Sequence, residues 1–328
     1  MAHPYAGLTP EAVLDACADA GLRPDGRLLA LNSYENRVYQ VYLDEGAPVV
    51  VKFYRPGRWT REQILEEHAF ALELAGREIP VVAPLLFDND TLLDSGEFHF
   101  AVYPRRGGRT PNLEKPEVLE WIGRFIGRIH LVGAAEPFRF RETLDLNSFG
   151  TEPRAWLLQH AAIPADLLPS WKAVTEQALQ LVAACYERAG DVRLIRLHGD
   201  CHPGNILWTD YGEQQGPHFV DLDDARMGPA IQDLWMLLSG DRPAMTRALS
   251  DVLAGYEEFM TFDRRELHLV EALRTLRLIH YSAWIARRWD DPAFPAAFPW
   301  FGTARYWQDR ILELKEQIAL MGEPPLSV

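Results

Sequence analysis

Asp200, Asn205 and Asp221 stand on one stretch of chain, in His198-Gly199-Asp200-Cys201-His202-Pro203-Gly204-Asn205-Ile206-Leu207 and the following Phe219-Val220-Asp221-Leu222-Asp223-Asp224. The chemistry these side chains can perform together is phosphoryl transfer from a nucleotide. That reaction asks little covalent work of a protein; it needs a group to orient an acceptor hydroxyl and a cation held against the phosphates. Asp200 suits the first task. Asn205 and Asp221 suit the second, because magnesium is a hard ion that keeps several waters and takes one or two protein oxygens beside the phosphates. Asp200 and Asp221 are therefore the candidate catalytic residues, with Asn205 and Asp221 the candidate metal ligands.

The elements that must position them are readable nearby. The five-residue step from Asp200 to Asn205 equals the Asp-to-Asn step in the H-R-D-x-x-x-x-N loop of protein kinases, although the arginine is missing here. Ile206-Leu207-Trp208 and His218-Phe219-Val220 read as short apolar strands around a turn-rich segment with Gly212 and Gly216, a hairpin that returns Asp221 beside Asn205. Singly, His198, Asp200 and Asn205 are also ordinary turn formers; the joint pattern points to catalysis. Asp223 and Asp224 crowd Asp221 with like charge, which a cation would relieve. Asp224 reads as solvated, and Asp223 leaves a second magnesium ion open.

A nucleotide also needs a grip. Val49-Val50-Val51-Lys52-Phe53 sets a lysine in an otherwise apolar strand, costly unless its ammonium finds a partner or water. An edge-strand charge that discourages aggregation would look the same alone; with the downstream loop, Lys52 takes the role of the V-A-I-K lysine that pairs the phosphates and a helix glutamate. The partner helix is expected over about residues 60–75, with Thr60 and Gln63 as a capping box. Glu67 shares a face with Ile64, Phe70, Ala71 and Leu74, whereas Glu66 shares one with Glu62, Gln63 and Glu73, so Glu67 is the inward partner. The polar loop Asn32-Ser33-Tyr34-Glu35-Asn36-Arg37 occupies the place of a phosphate-covering turn yet contains no glycine. Phosphate contact there falls to backbone amides or the Ser33 hydroxyl.

These residues carry a resemblance. HGDCHPGNIL followed by VDLDDA is similar to the aminoglycoside phosphotransferase and choline kinase superfamily, which shares the protein-kinase fold. More narrowly, LNSYENRVYQV, VDLDDARMGPAIQDLWMLLSG and IHYSAWIARRWDDPAFPAAFPW resemble the bacterial stress response kinase A family, over the span from about Leu31 onward. The resemblance implies a bilobal α+β protein-kinase-like fold, with a small antiparallel-sheet lobe at residues 1–104 that binds nucleotide and a mainly helical lobe at 105–328. It implies ATP as donor, Mg2+ as cofactor, and serine or threonine on proteins as acceptor. It places Ser33 with Lys52 and Glu67 at the nucleotide, Asp221 on the metal, His198 as a scaffold of the catalytic loop, and Asp233 as the tether of that loop's amides.

The rest of the chain fits such an enzyme. Extended segments are expected over residues 37–43, 49–54, 79–86 and 98–102, and helical periodicity follows at Val118 to Ile129, 171–189, 231–238, 267–289 and 306–321. A net charge of -14 argues against broad nucleic-acid binding, which leans on Lys and Arg. There is no signal-type N-terminal segment and no long apolar run, so a cytoplasmic monomer without membrane contact is expected. Cys17, Cys185 and Cys201 suggest neither a disulfide framework nor a zinc site, and Cys201 reads as a small filler. The aromatic and basic stretch Trp284 to Asp291 reads as helix packing with solvated arginines, the alternative being the border of an acceptor groove. Two other functions stay open: a small-molecule kinase for an aminoglycoside, choline or homoserine-like alcohol, and a nucleotide-binding scaffold without catalysis.

Overall fold

The structure is a computed structural model and describes residues 4–161, 163–212 and 215–328. In chain order the first elements are helix α1 (Pro10–Asp19), strands β1 (Pro24–Ala30), β2 (Arg37–Leu43) and β3 (Val49–Phe53), helix α2 (Arg61–Gly76), and strands β4 (Leu93–Ser95) and β5 (Phe98–Pro104). Next come α3 (Pro116–Gly133), α4 (Glu152–His160), α5 (Leu168–Ala189), β6 (Ile195–Leu197), β7 (Ile206–Thr209), β8 (Gly216–Phe219) and β9 (Arg226–Gly228). The remaining helices are α6 (Ile231–Trp235), α7 (Arg242–Tyr256), α8 (Val270–Arg287), α9 (Ala293–Ala297) and α10 (Ala304–Leu320).

These elements form two units, Met1–Pro111 with Gly204–Asp223, and Asn112–Pro203 with Asp224–Val328. The first runs past residue 104 and takes in the β7–β8 hairpin. Backbone hydrogen bonds explain that assignment: Val82 N–H donates to Phe219 O at 2.9 Å, Phe219 N–H to Pro80 O at 2.7 Å, and Arg109 and Trp208 exchange bonds of 3.0 and 2.7 Å. The segment expected as a strand over 79–86 is thereby reduced to a single bridge, Val81 to Phe219. Pro80 and Pro84 lack the N–H groups a ladder needs.

In the first unit the sheet order is β1-β2-β3-β5-β4, with every neighbouring pair antiparallel. Side chains alternate across it. Val49, Val51 and Phe53 of β3 join Phe98, Phe100 and Val102 of β5 in a core closed by Val13, Ala16 and Cys17 of α1. The other face carries Tyr54, Ala101 and Tyr103 against Ile64 of α2. Lys52, one step from Val51, belongs to that second face. Helix α2 begins on the expected capping box, Thr60 with Gln63.

The second unit is mainly helical, as expected of a bilobal α+β protein-kinase-like fold. Trp171 of α5 and Trp307 of α10 pack edge to face at 5.0 Å in a core that includes Ile279 and Ile285 of α8. Helices α3 and α7 run almost in backbone contact. A Cβ on Gly123 would lie 1.9 Å from the Val252 carbonyl oxygen, and one on Gly255 the same distance from that of Glu120. Apolar periodicity marks the buried face of α3, but not that glycines set its separation from a neighbour. Among the described residues no helix is long and apolar enough to cross a membrane.

Candidate active site

In the first unit, the Lys52 ammonium is 3.1 Å from Asp221 Oδ1, 3.7 Å from Asp223 Oδ1 and 3.9 Å from Glu67 Oε1. It also lies 5.2 and 5.5 Å over the rings of Tyr54 and Tyr103. Burial opposes a charge on Lys52, but Tyr103 and the carboxylates of Asp221, Asp223 and Glu67 outweigh it and raise its pKa well above the ordinary lysine value. The lysine is thus a fixed cation. Glu67 is buried on α2 and Glu66 lies on a partly exposed flank. The two tyrosines are fixed in turn. Tyr54 Oη is 2.7 Å from His68 Nε2 and 2.9 Å from Tyr103 Oη, and His68 Nδ1 is 2.8 Å from Thr91 Oγ1.

Asp221 and Asp223 stand two positions apart and live differently. Asp221 has φ +60°, a left-handed conformation that aspartate tolerates better than most residues, and its side chain is 54 % exposed. Just before it, Val220 N–H donates to Asn205 O at 3.0 Å, continuing the β7–β8 register and holding the Asn205 and Asp221 positions at one end of the hairpin. An amide oxygen and a carboxylate are the hard donors magnesium accepts. No group of three or more His, Cys, Asp or Glu among the described residues is arranged to hold a metal by itself; the donor set at 205 and 221 fits an ion that completes its shell with phosphate and water.

Asp223 is buried, its side chain only 5 % exposed. Its Oδ2 accepts from Asn36 Nδ2 at 3.2 Å and pairs closely with the Arg58 guanidinium. Asn36 Oδ1 accepts from Arg55 N–H at 3.1 Å, the Ser33 hydroxyl donates to Asn36 O at 3.1 Å, and Glu35 lies 3.6 Å from Arg55 and 3.9 Å from Arg58. The glycine-free loop is therefore held by side chains, with Asn36 at its centre and Ser33 on its partly exposed side.

In the second unit, Asp233 of α6 accepts the backbone N–H groups of His198 at 2.8 Å and Gly199 at 2.9 Å, with His130 Nε2 at 3.1 Å. Burial pushes its pKa up, but the His130 hydrogen bond, the nearby His130 and His198 rings and the Gly199 amide more than offset this and hold it below the usual carboxylate range. Gln232 Nε2 donates to Gly199 O at 3.0 Å. Gly199 itself has φ +86°, and a Cβ there would sit 2.0 Å from the Asp224 carbonyl oxygen; no other residue fits. This frame presents Asp200, whose Oδ1 accepts from Arg277 Nη1 of α8 at 2.7 Å while Oδ2 lies 3.5 Å from His202 Nε2. Cys201 is fully buried, and burial, with Asp233 and Asp200 nearby, pushes its thiol well above the ordinary range, so it is an inert neutral group.

Glu266 extends this frame. Its Oε2 accepts Ile231 N–H at 2.8 Å at the start of α6, and burial raises its pKa from 4.5 to about 7. A carboxyl whose folded pKa is raised contributes stability that is complete below its unfolded pKa and lost as pH rises through the folded value. Glu266→Gln keeps an acceptor for Ile231 and cannot ionise. Thermal unfolding of both proteins is expected to show the variant gaining on the wild type between pH 5 and pH 8, by on the order of 2–3 kcal/mol. A gap that stays constant across that range would show that Glu266 does not titrate there.

The structure thus gathers Lys52, Glu67 and Asp221 within the first unit, sets Asn205 beside the base of Asp221, leaves Ser33 in the adjoining loop, and holds Asp200 on a separate frame in the second unit. Sequence reading missed Asn36, Arg58, Tyr54, Tyr103, His130, Glu266 and Arg277. For Tyr54 a signal existed, since it shares the face of Lys52 at a period of two. The others meet partners far away in the chain, and no local pattern marks them.

Known proteins resemble the chain over most of its length. The family described as "Phosphotransferase enzyme family" matches residues 27–270. Stress response kinase A of Escherichia coli (strain K12) is 46% identical over 327 residues, covering 100% of this chain and 98% of that protein. The serine/threonine protein kinase RdoA of Salmonella typhimurium (strain LT2) is also 46% identical with the same coverage. Among solved structures, the amicoumacin kinase hAmiN in complex with AMP-PNP, Ca2+ and Ami superposes with a TM-score of 0.73 at 17% identity, over 97% of this chain and 94% of that one. A microcompartment-associated aminopropanol kinase gives 0.71 at 18% identity, over 94% and 96%. At such identities the structures speak for the fold.

Proposed function

The chain belongs to the phosphotransferase enzyme family, as a relative of the stress response kinase A proteins over its full length, and from that premise we propose that it transfers the γ-phosphate of ATP to serine or threonine on proteins. Lys52, fixed by Glu67, holds the phosphates of ATP, with the Ser33 loop over them. Asn205 and Asp221 would hold Mg2+, which when bound would supply charge neutralisation for the transferring phosphoryl group. Asp200 orients the incoming hydroxyl and accepts its proton; because the transition state is loose, positioning is the larger part of its work. We place this activity in the cytoplasm, in a monomer.

The observation that carries the reading is the set Lys52, Glu67 and Asp221, spaced within 3.9 Å of one ammonium. A nucleotide-binding scaffold that had given up catalysis would be expected to lose the base or a metal ligand, whereas Asp200, Asn205 and Asp221 are all kept here; magnesium-dependent ATP turnover separates the two. The protein acceptor rests on the relative named as a serine/threonine protein kinase. A second reading, a small-molecule kinase, draws on the solved structures named for amicoumacin and aminopropanol. Labelled ATP should be incubated with the chain, a generic protein acceptor and a panel of amino alcohols. Label on protein serine or threonine is expected; label found only on the amino alcohols would overturn the protein-kinase reading.

A further inference from the structure

Helix α8 and the three residues that follow it carry four arginines and no carboxylate between Glu271 and Asp290, in a chain whose net charge is -14. Three of those arginines are engaged within the fold. Arg274 binds Glu271 and the Leu238 carbonyl, Arg287 binds Glu152, and Arg288 donates to Trp284 O and stacks over the Trp284 ring. Arg277 is different. Among the described residues its one hydrogen-bond partner is Asp200, reached through Nη1 at 2.7 Å, and its side chain remains 39 % exposed. A guanidinium has five N–H donors, so the fork keeps open donors directly beside the carboxylate assigned to the acceptor hydroxyl.

We propose that Arg277 is a specificity-determining residue that selects acceptors bearing a carboxylate or other oxyanion next to the hydroxyl, so that the preferred substrates are serine or threonine residues flanked by aspartate or glutamate. The inference rests on the protein-kinase reading and on the role given there to Asp200. A hydroxyl at Asp200 brings its neighbouring groups to the guanidinium. An oxyanion there completes a charge-assisted, fork-shaped pair, while an ammonium meets a like charge. Amino alcohols bring that ammonium with them, whereas a peptide carries either sign according to its sequence. One helical turn on, Tyr281 stacks on Trp284 with ring centroids 5.6 Å apart, a flat apolar wall on the same side of α8 as Arg277.

The test compares kcat/KM for synthetic peptides with one serine flanked by glutamate or by lysine, together with an amino-alcohol panel. It uses the full chain, Arg277→Gln and Arg277→Lys. The glutamate peptide is expected to win by about tenfold or more. Arg277→Lys should keep much of that ratio and Arg277→Gln should bring it near one, whatever happens to the absolute rate. The ratio is informative because loss of an ion pair that merely steadied Asp200 would slow both peptides alike. Peptides phosphorylated without charge preference, or with a preference that Arg277→Gln leaves intact, would overturn the inference and leave the protein-kinase reading standing. Label on the amino alcohols with none on any peptide would overturn both.

Discussion

Alanine at Asp200 is expected to lower kcat for phosphoryl transfer by about 10²–10⁴-fold while ATP affinity changes little. The expectation follows from where Asp200 stands. Its backbone is fixed by the amides of His198 and Gly199 on Asp233 and by the Gln232 bond to Gly199 O, none of which involves the Asp200 side chain. Truncating the side chain therefore leaves the frame in place. Two partners it abandons, Arg277 and His202, are 39 % and 38 % exposed and can turn to water, so the stability cost stays small. The nucleotide grip proposed for Lys52, Glu67 and Asp221 lies on residues of the other unit and is untouched. Steady-state kinetics with a labelled acceptor, paired with ATP binding by titration calorimetry, separate these effects. Near-normal turnover would remove Asp200 from the reaction, and a large loss of ATP affinity would mean that the substitution had disturbed the fold instead.

How much of this was legible beforehand depended on the distance over which each residue finds its partner. Lys52 stood out because a strand of valines makes one lysine conspicuous, and Glu67 because a 3.6-residue period separates an inward glutamate from its neighbour Glu66. The β7–β8 hairpin followed from two apolar runs around a turn. By contrast, Arg58 and Asn36 meet Asp223 across 165 and 187 positions, and Arg277 meets Asp200 across 77. Each is an ordinary polar residue in its own segment, and only the tertiary fold gives it a task. The same limit explains the first unit. Assigning 204–223 to a helical second half follows from chain order, whereas the hydrogen bonds of Phe219 and Trp208 to residues 80–82 and 109 place it with the sheet.

The acidic run that began as a metal-binding suggestion divides most sharply under substitution. Asp221→Asn is expected to cost activity on the order of 10³-fold, because it removes the carboxylate proposed to hold magnesium where charge on the phosphoryl group must be neutralised, yet to leave thermal stability nearly unchanged. Asparagine tolerates the +60° φ at this position, and the lost carboxylate was already 54 % exposed. Asp223→Ala should do the reverse in the first measurement taken. Its carboxylate is buried against Arg58 and Lys52, whose side chains are 11 % and 8 % exposed, and removing one member of a buried ionic cluster costs about 3–5 kcal/mol because the remaining charges cannot reach water. A fall in the unfolding midpoint of roughly 10 °C is expected for a unit of this size. Asn36 would lose its hold as well, loosening the loop that carries Ser33, so a rise in KM for ATP should accompany the lost stability. Were Asp223 a ligand of a second magnesium ion, the pattern would differ: Asp223→Ala would leave the metal-free protein as stable as before and shift only the magnesium dependence of turnover. Thermal unfolding in EDTA decides, because a drop seen without any divalent ion cannot come from a lost metal ligand and points to the buried contacts of Asp223, among them the ion pairs with Arg58 and Lys52 and the bond to Asn36.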